Sequence, residues 1–399
     1  MKLFRNLLLI GFLIVVLLLL FNFRKVKRLH RVMNFFEPEM IHENFYHSTD
    51  FTPFHTVKKS PNPYYFEKGT TISLPNFKYE DKTHTAKNYI DSLFVTGLAI
   101  VKNNQLLFEE YYNGNSANTT HISWSVAKSF VSVLLGIAID EGYIKSIEEP
   151  IDKYVPQLKG SGYEGVKIVD VLQMSSGIGF DENYGDFWSD INQWSRGFAL
   201  GQSQNEFAAS LKNLRPPGTE FDYVSLDTHV LAMLIVNSTK TSLSNYMQQK
   251  LWQPIGAEFD AQWNIDDNDM EIAFGCLNAT LRDYLKFGQL VINNGNWNGK
   301  QIVSAKWLKD SRTITKPHLK KVADGSTGYG YQWWLPIGDG NEMVARGHSG
   351  QYIYINLKTK TVIAQNSANI KNNDKSYLYS NFPVILAFFR AVNESLLSN

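Results

Sequence analysis

Ser125-Val126-Ala127-Lys128-Ser129-Phe130-Val131-Ser132-Val133-Leu134-Leu135-Gly136-Ile137-Ala138-Ile139-Asp140-Glu141-Gly142 predicts a helix over about 126–141, closed by Gly142, the residue type best suited to a left-handed helix end. It is apolar almost all round (Phe130, Val131, Leu134, Leu135, Ile137 and Ala138), as expected of a central buried helix. At its head stands a Ser-x-x-Lys pattern, and residues three apart share a helix face, so Lys128 is placed to reach the Ser125 hydroxyl. Burial and the positive end of the helix dipole both favour the neutral amine, which can take a proton from the serine. The tetrapeptide also arises by chance, and alone it equally fits a serine N-cap followed by a lysine that reaches solvent.

Outward from this helix the chain changes period. Residues 97–102 and 106–112 are β-rich runs around Asn103-Asn104, a hairpin signal. Residues 165–310 read as helical segments broken by turns such as Pro216-Pro217-Gly218. Strands return at 329–335, 342–346, 352–357 and 361–365, and 382–397 reads as a last apolar helix with Pro383 in its first turn. Strands, a helical middle, then strands predict an α+β fold (an α/β sandwich). A mainly antiparallel sheet is flanked by helices, a mostly helical lobe is inserted at about 165–310, and the binding cleft lies between the two.

The body begins near residue 89, giving a domain at 89–399. Residues 32–88, with Pro53, Pro61, Pro63 and Pro75 and no sustained period, read as an extended connector. Residues 7–23 are apolar except for Asn22, with Lys2 and Arg5 before them and Arg24, Lys25, Lys27, Arg28 and Arg31 after. That pattern predicts an uncleaved membrane anchor over 1–31, at the short end of what spans a bilayer. The larger basic cluster on its C-terminal side would hold that side cytoplasmic.

Composition narrows the function classes. In 399 residues the 39 Lys and Arg nearly balance the 38 Asp and Glu, so no basic excess exists for binding nucleic acid. Cys276 is the only cysteine, which rules out an intramolecular disulfide and a cysteine-rich zinc site. None of the nine histidines has metal-ligand spacing, and neither metal nor other cofactor is expected.

Two further stretches bear on chemistry. Tyr223-Val224-Ser225 follows the Arg215-Pro216-Pro217-Gly218-Thr219 turn; Tyr223 is either a half-buried packing residue or a proton relay whose pKa a nearby ammonium lowers. In Arg346-Gly347-His348-Ser349-Gly350-Gln351, Gly350 allows a substrate close to a strand edge and the Gln351 amide is placed to meet an oxyanion. Gly347-His348-Ser349-Gly350 looks like a Gly-x-Ser-x-Gly elbow, but Gln351 stands at the second glycine and no histidine follows residue 348, so that reading fails.

Together these motifs resemble the active-site set of the serine β-lactamase and penicillin-binding-protein superfamily. The tyrosine-centred second motif points to the class C β-lactamase-like branch, and within it the chain resembles 6-aminohexanoate-dimer (nylon oligomer) hydrolases and related esterases. Asp170-Val171-Leu172-Gln173-Met174-Ser175-Ser176-Gly177, Phe221-Asp222-Tyr223-Val224-Ser225 and Gly275-Cys276-Leu277-Asn278-Ala279-Thr280-Leu281-Arg282-Asp283 are similar to further signatures, in the family's order over about 90–370. The resemblance implies that Ser125 is acylated, Lys128 is its base partner and Tyr223 passes protons. It also implies that the amides of Ser125 and Gln351 form the oxyanion hole. His348 stands where β-lactamases have the lysine of Lys-Thr-Gly and Ser225 where they have the asparagine of Tyr-x-Asn, which weakens a β-lactam assignment. Cys276 reads as a packing thiol.

The function expected is therefore a membrane-anchored, metal-free serine hydrolase acting on small-molecule esters or amides, its domain exported as family precedent suggests. The alternatives are a β-lactamase or cell-wall D,D-peptidase, and a non-catalytic membrane-displayed binding module. The module's hallmark would be loss of Ser125, Lys128 or Tyr223, and all three are present. Trp188, Trp194, Trp252, Trp263 and Trp333-Trp334 line the cleft or pack the core, and 181–186 is a solvated loop or shapes the acyl or amine side.

Overall fold

Asn103 and Asn104 both adopt left-handed backbone, φ 50° and 64°, which asparagine tolerates and a tight hairpin turn requires. They join Val95–Lys102 to Gln105–Tyr111, paired antiparallel. In the computed structural model, which describes residues 2–322, 325–373 and 381–397 (without the side chains of residues 2, 3, 13–20, 372 and 373), this hairpin sits in an eight-stranded sheet. The order across the sheet is Thr327–Tyr329, Trp334–Pro336, Glu342–Gly347, Gln351–Asn356, Thr361–Ser367, Val95–Lys102, Gln105–Tyr111 and Glu67–Lys68. Every pairing is antiparallel except that of Glu67–Lys68.

Side chains alternate across a strand, and here both faces are apolar because both are covered. Ala99, Val101, Ile353, Ile355 and Val362 face the core built on Val126–Asp140 and Leu281–Ile292. Leu98, Ile100, Tyr352, Tyr354 and Ile363 face the C-terminal helix Phe382–Ser395, whose Ile385, Phe388, Phe389 and Val392 fill that layer.

The central helix Val126–Asp140 is buried from Val126 to Ala138 and ends before Gly142, φ 81°. The sheet lies on one side of it and helix Ser225–Thr239 on the other, and Phe130 stacks on Phe287 at 3.7 Å. Such burial on all sides explains why the sequence shows no polar face.

Two expectations need correction, the strand at 329–335 and the membrane anchor. Residues 329–335 are not one strand. Thr327–Tyr329 and Trp334–Pro336 pair antiparallel across a turn where Gln332 has φ 62° and its Nε2 donates to Leu172 O at 2.9 Å. The mostly helical middle carries short strands as well. Ala261–Asn264 and Leu277–Ala279 form a second sheet with His121–Ile122 and with Phe54–Val57 from the segment read as a connector. The membrane anchor is not supported either: among the described residues no helix is long and apolar enough to cross a membrane. The side chains at 13–20, on which that reading leaned, lie outside those described. The basic flank that completed the anchor pattern is in part bonded to the body. From helix Phe23–Met33, Arg28 binds Asp267 through both Nη atoms at 2.6 and 2.9 Å and Ala199 O through Nε at 2.6 Å. Arg31 donates to Asp50 O at 2.6 Å.

Gly136 lets the central helix close on a neighbour: a Cβ there would stand 2.4 Å from the Trp307 ring. Gly136→Ala should therefore destabilise the protein by about 1–3 kcal/mol through overpacking, despite the gain in helix propensity of about 1 kcal/mol. Chemical denaturation followed by circular dichroism measures the change.

Candidate active site

The head of the central helix is set by the strand before it. Ser123 N donates to Leu277 O at 2.7 Å, and Trp124 then takes φ 45°, a costly left-handed conformation for a bulky aromatic residue. Its ring is held from several sides: Phe36 stacks on it at 5.2 Å, and Phe35 and Phe45 meet it edge-on at 5.6 Å each. Ser125 follows at the N-cap position with φ −65° and makes no side-chain cap hydrogen bond. The capping role that the sequence left open is thus not used. Ser125 instead lines a cavity of about 610 Å³, together with Trp124, Tyr184, Phe274, Cys276 and His348.

Lys128, one turn on, is 1% exposed and does not reach solvent. Its Nζ donates to Ser225 Oγ at 2.9 Å and lies 5.2 Å from the centre of the Tyr223 ring and 5.0 Å from that of Phe274. Burial lowers its pKa from 10.5 to about 7, with the Glu182 and Asp227 carboxylates pulling the other way. The burial penalty on the fold is then present in full below about pH 7 and is relieved as pH rises towards 10.5.

Glu182 is the residue the sequence reading passed over. It lies in the 181–186 loop, and its Oε1 accepts from Ser225 Oγ at 2.5 Å and from the Tyr184 hydroxyl at 2.8 Å. Its Oε2 accepts from Ser225 N at 3.0 Å, so the loop is bonded to the site and is not merely solvated. The local signal was three carboxylates in six residues, but the partner that gives Glu182 its place is 43 residues away. Below this layer Asp227 is fully buried, burial raises its pKa well above the usual carboxyl range, and it accepts from the Tyr163 hydroxyl at 2.9 Å.

Tyr223 stacks on Trp334 at 5.6 Å and meets Tyr329 at 6.4 Å, with Lys128 near its ring. His348, Ser349 (φ 55°) and Gly350 (φ 93°) turn the chain between Glu342–Gly347 and Gln351–Asn356. His348 shares the cavity wall with Ser125; its ring lies 4.9 Å from Tyr184 and its Nδ1 2.9 Å from Ser349 Oγ. A Cβ on Gly347 would meet Ser123 O at 2.4 Å, so this glycine lets the strand end close on the serine-bearing segment. Gly350 packs on Ser367, and the Gln351 side chain ties the turn to the next strand, Nε2 donating to Ser367 O at 2.5 Å and Oε1 accepting from Ser367 N at 3.2 Å.

The structure therefore gathers Ser125, His348 and Tyr184 on one cavity, with Lys128, Ser225 and Glu182 as a bonded layer beside it and the Tyr223 ring against Lys128. Gly350 and Gln351 support the turn at the sheet edge. Among the tryptophans, Trp194 lines the cavity, Trp188 is exposed, and Trp252, Trp263 and Trp333 are core. Burial pushes the Cys276 thiol up to about 12, so it stays protonated at neutral pH. Among the described residues no group of three or more His, Cys, Asp or Glu could hold a metal.

A large antiparallel-rich sheet with helices on both faces, and a serine heading a buried helix that carries a lysine one turn on, define a hydrolase of the β-lactamase and penicillin-binding-protein superfamily. The family profile for beta-lactamase matches residues 92–368, and the chain belongs to that family. It is 27% identical over 281 residues to the 6-aminohexanoate-dimer hydrolase of Paenarthrobacter ureafaciens, covering 67% of this chain and 71% of that one. Its fold superposes with a TM-score of 0.81 on a structure described as "Putative 6-aminohexanoate-dimer hydrolase from Bacillus anthracis", at 24% identity over 92% of this chain and 96% of the other. A family VIII carboxylesterase superposes at 0.55, with 17% identity over 77% of this chain and 95% of its own.

The electrostatics of Lys128 can be read directly. Its side chain should titrate near pH 7 in NMR of lysine-labelled protein, far below a surface lysine. Glu182→Gln should move that transition to lower pH, because the carboxylate it removes favours the ammonium.

Proposed function

We propose that the protein is a serine hydrolase of the class C β-lactamase-like branch, cleaving esters or small amides through an acyl-enzyme on Ser125. Lys128 carries this reading: it is buried, lies one helical turn from Ser125 on the same helix, and is poised to be a neutral base at physiological pH. In acylation the Ser125 Oγ attacks the substrate carbonyl as Lys128 accepts its proton. The bond to the alcohol or amine then breaks, and the proton passes to that leaving group through Ser225 or Tyr223. Water next attacks the acyl-serine, giving up a proton to the same relay, and releases the acid with Ser125 restored. Backbone amides of Ser125 and Gln351 are assigned to the oxyanion, and residues 89–399 to the catalytic unit.

His348 in place of a lysine, packed against Tyr184 and Phe36, supplies no fixed ammonium for a lactam carboxylate. The substrate favoured is therefore an ester or open amide rather than a penicillin.

A fluorophosphonate should label Ser125, as mapped by mass spectrometry, and Ser125→Ala should lose both label and turnover while keeping its circular dichroism spectrum. Turnover by a folded Ser125→Ala protein would refute the proposal. Lys128→Ala should lower kcat/KM by about 10²–10⁴-fold, the usual contribution of a general base. In the wild type, kcat/KM should fall as pH drops through about 7, because protonation removes the base.

A further inference from the structure

The 610 Å³ cavity beside Ser125 has a wall chemistry that the reaction alone does not explain. Phe35, Phe36, Trp124, Trp194, Phe274 and Phe187 line it, and the first two come from the chain's N-terminal part, outside the residues the family profile matches. Among the described lining residues, Glu37 and Arg196 carry a fixed charge and His348 is the one histidine. Glu37 is exposed at the rim. Arg196 lies with its guanidinium 3.9 Å from the Phe187 ring centre and its Nη1 donating to Phe187 O at 2.7 Å, so it is engaged at the mouth. Phe187 is 50% exposed there, leaving aromatic surface at the entrance.

The cavity's place relative to the proton-handling groups decides which part of a substrate it takes. None of Lys128, Tyr223 or Ser225 lines it, whereas Ser125 does. A leaving group must meet its proton donor, so it departs on the side of those three residues. The cavity, which Ser125 lines and those three residues do not, is then left for the acyl part. Its volume falls within the range of pockets that enclose a small organic ligand, and its walls reward apolar surface and leave a buried charge uncompensated.

We propose that this cavity is an acyl-chain pocket, closed by Phe35 and Phe36 of the N-terminal segment, that selects neutral esters or amides of long unbranched hydrocarbon acids. The inference rests on Ser125 being the nucleophile. The Arg28–Asp267 pair and the Arg28 bond to Ala199 O hold the helix that delivers the two phenylalanines, which makes Arg28 a positioning residue outside the pocket wall.

The test is hydrolysis by the full chain of p-nitrophenyl acetate, butanoate, octanoate and dodecanoate, with fluorophosphonate labelling of Ser125 followed alongside. From butanoate to octanoate kcat/KM should rise about 2–4-fold per methylene, the worth of burying each group. A hexanoyl ester should exceed its 6-aminohexanoyl counterpart by at least about 10-fold, since an ammonium would be desolvated without a partner. Phe36→Ala should lower the ratio of octanoate to acetate hydrolysis at least about 5-fold, as expected for a lost aromatic wall. Arg28→Ala should lower the same ratio by loosening the segment that carries Phe35 and Phe36. A flat or falling chain-length profile in protein that labels at Ser125 overturns the pocket and leaves the serine mechanism standing. No labelling and no hydrolysis of any ester overturns both.

Discussion

One lysine, the single buried charge of the central helix, organises this protein. Removing an ammonium from water costs several kcal/mol unless it is paired or loses its proton, and Lys128 does some of each. Its pKa falls to about 7, and the donor that remains is met by Ser225, which Glu182 holds through both its backbone amide and its hydroxyl. The helix thus combines an almost wholly dry setting with one amine held close to neutrality. The helix can be buried so completely because the sheet covers one side and Ser225–Thr239 the other, and Ser225 stands at the first turn of that second helix. Two helix N-termini therefore converge on one lysine, each bringing a serine.

A second constraint sits one residue before the helix. Trp124 in a left-handed conformation turns the strand sharply into the helix and sets Ser125 on the cavity wall. Nothing in Trp124 itself favours that conformation. Phe35, Phe36 and Phe45 hold its ring, and Gly347 allows the neighbouring strand end to close on Ser123. The strain is thus borne by tertiary packing from distant parts of the chain.

What could be read beforehand follows the range of the interaction concerned. The central helix, the Asn103-Asn104 hairpin and the last helix with Pro383 in its first turn rest on local signals, and their observed limits lie within two residues of those expected. Ser125, Lys128 and Tyr223 belong to short patterns in family order, and the structure puts Ser125 on the cavity wall and the Lys128 ammonium against the Tyr223 ring. The break within 329–335 was missed because Gln332 is not a turn-former by type; its side chain is drawn to the Leu172 carbonyl, 160 residues away. Glu182 was missed for the same kind of reason. The N-terminal segment shows how hydropathy and charge mislead when taken without partners, since the acid that Arg28 meets lies 239 residues ahead.

That last separation bears on how the protein is made. Helix Phe23–Met33 is synthesised well before its anchor Asp267, which lies 239 residues beyond Arg28, and His348, which Phe36 touches, comes later still. Closing so wide a loop is entropically unfavourable until both ends already have a surface to meet. The segment can therefore take its full seat only once Asp267 and His348 are in place. A chain cut short before residue 348 would leave that segment without its full seat. Completion of the cavity reports, in effect, that synthesis has passed through the last strands of the sheet.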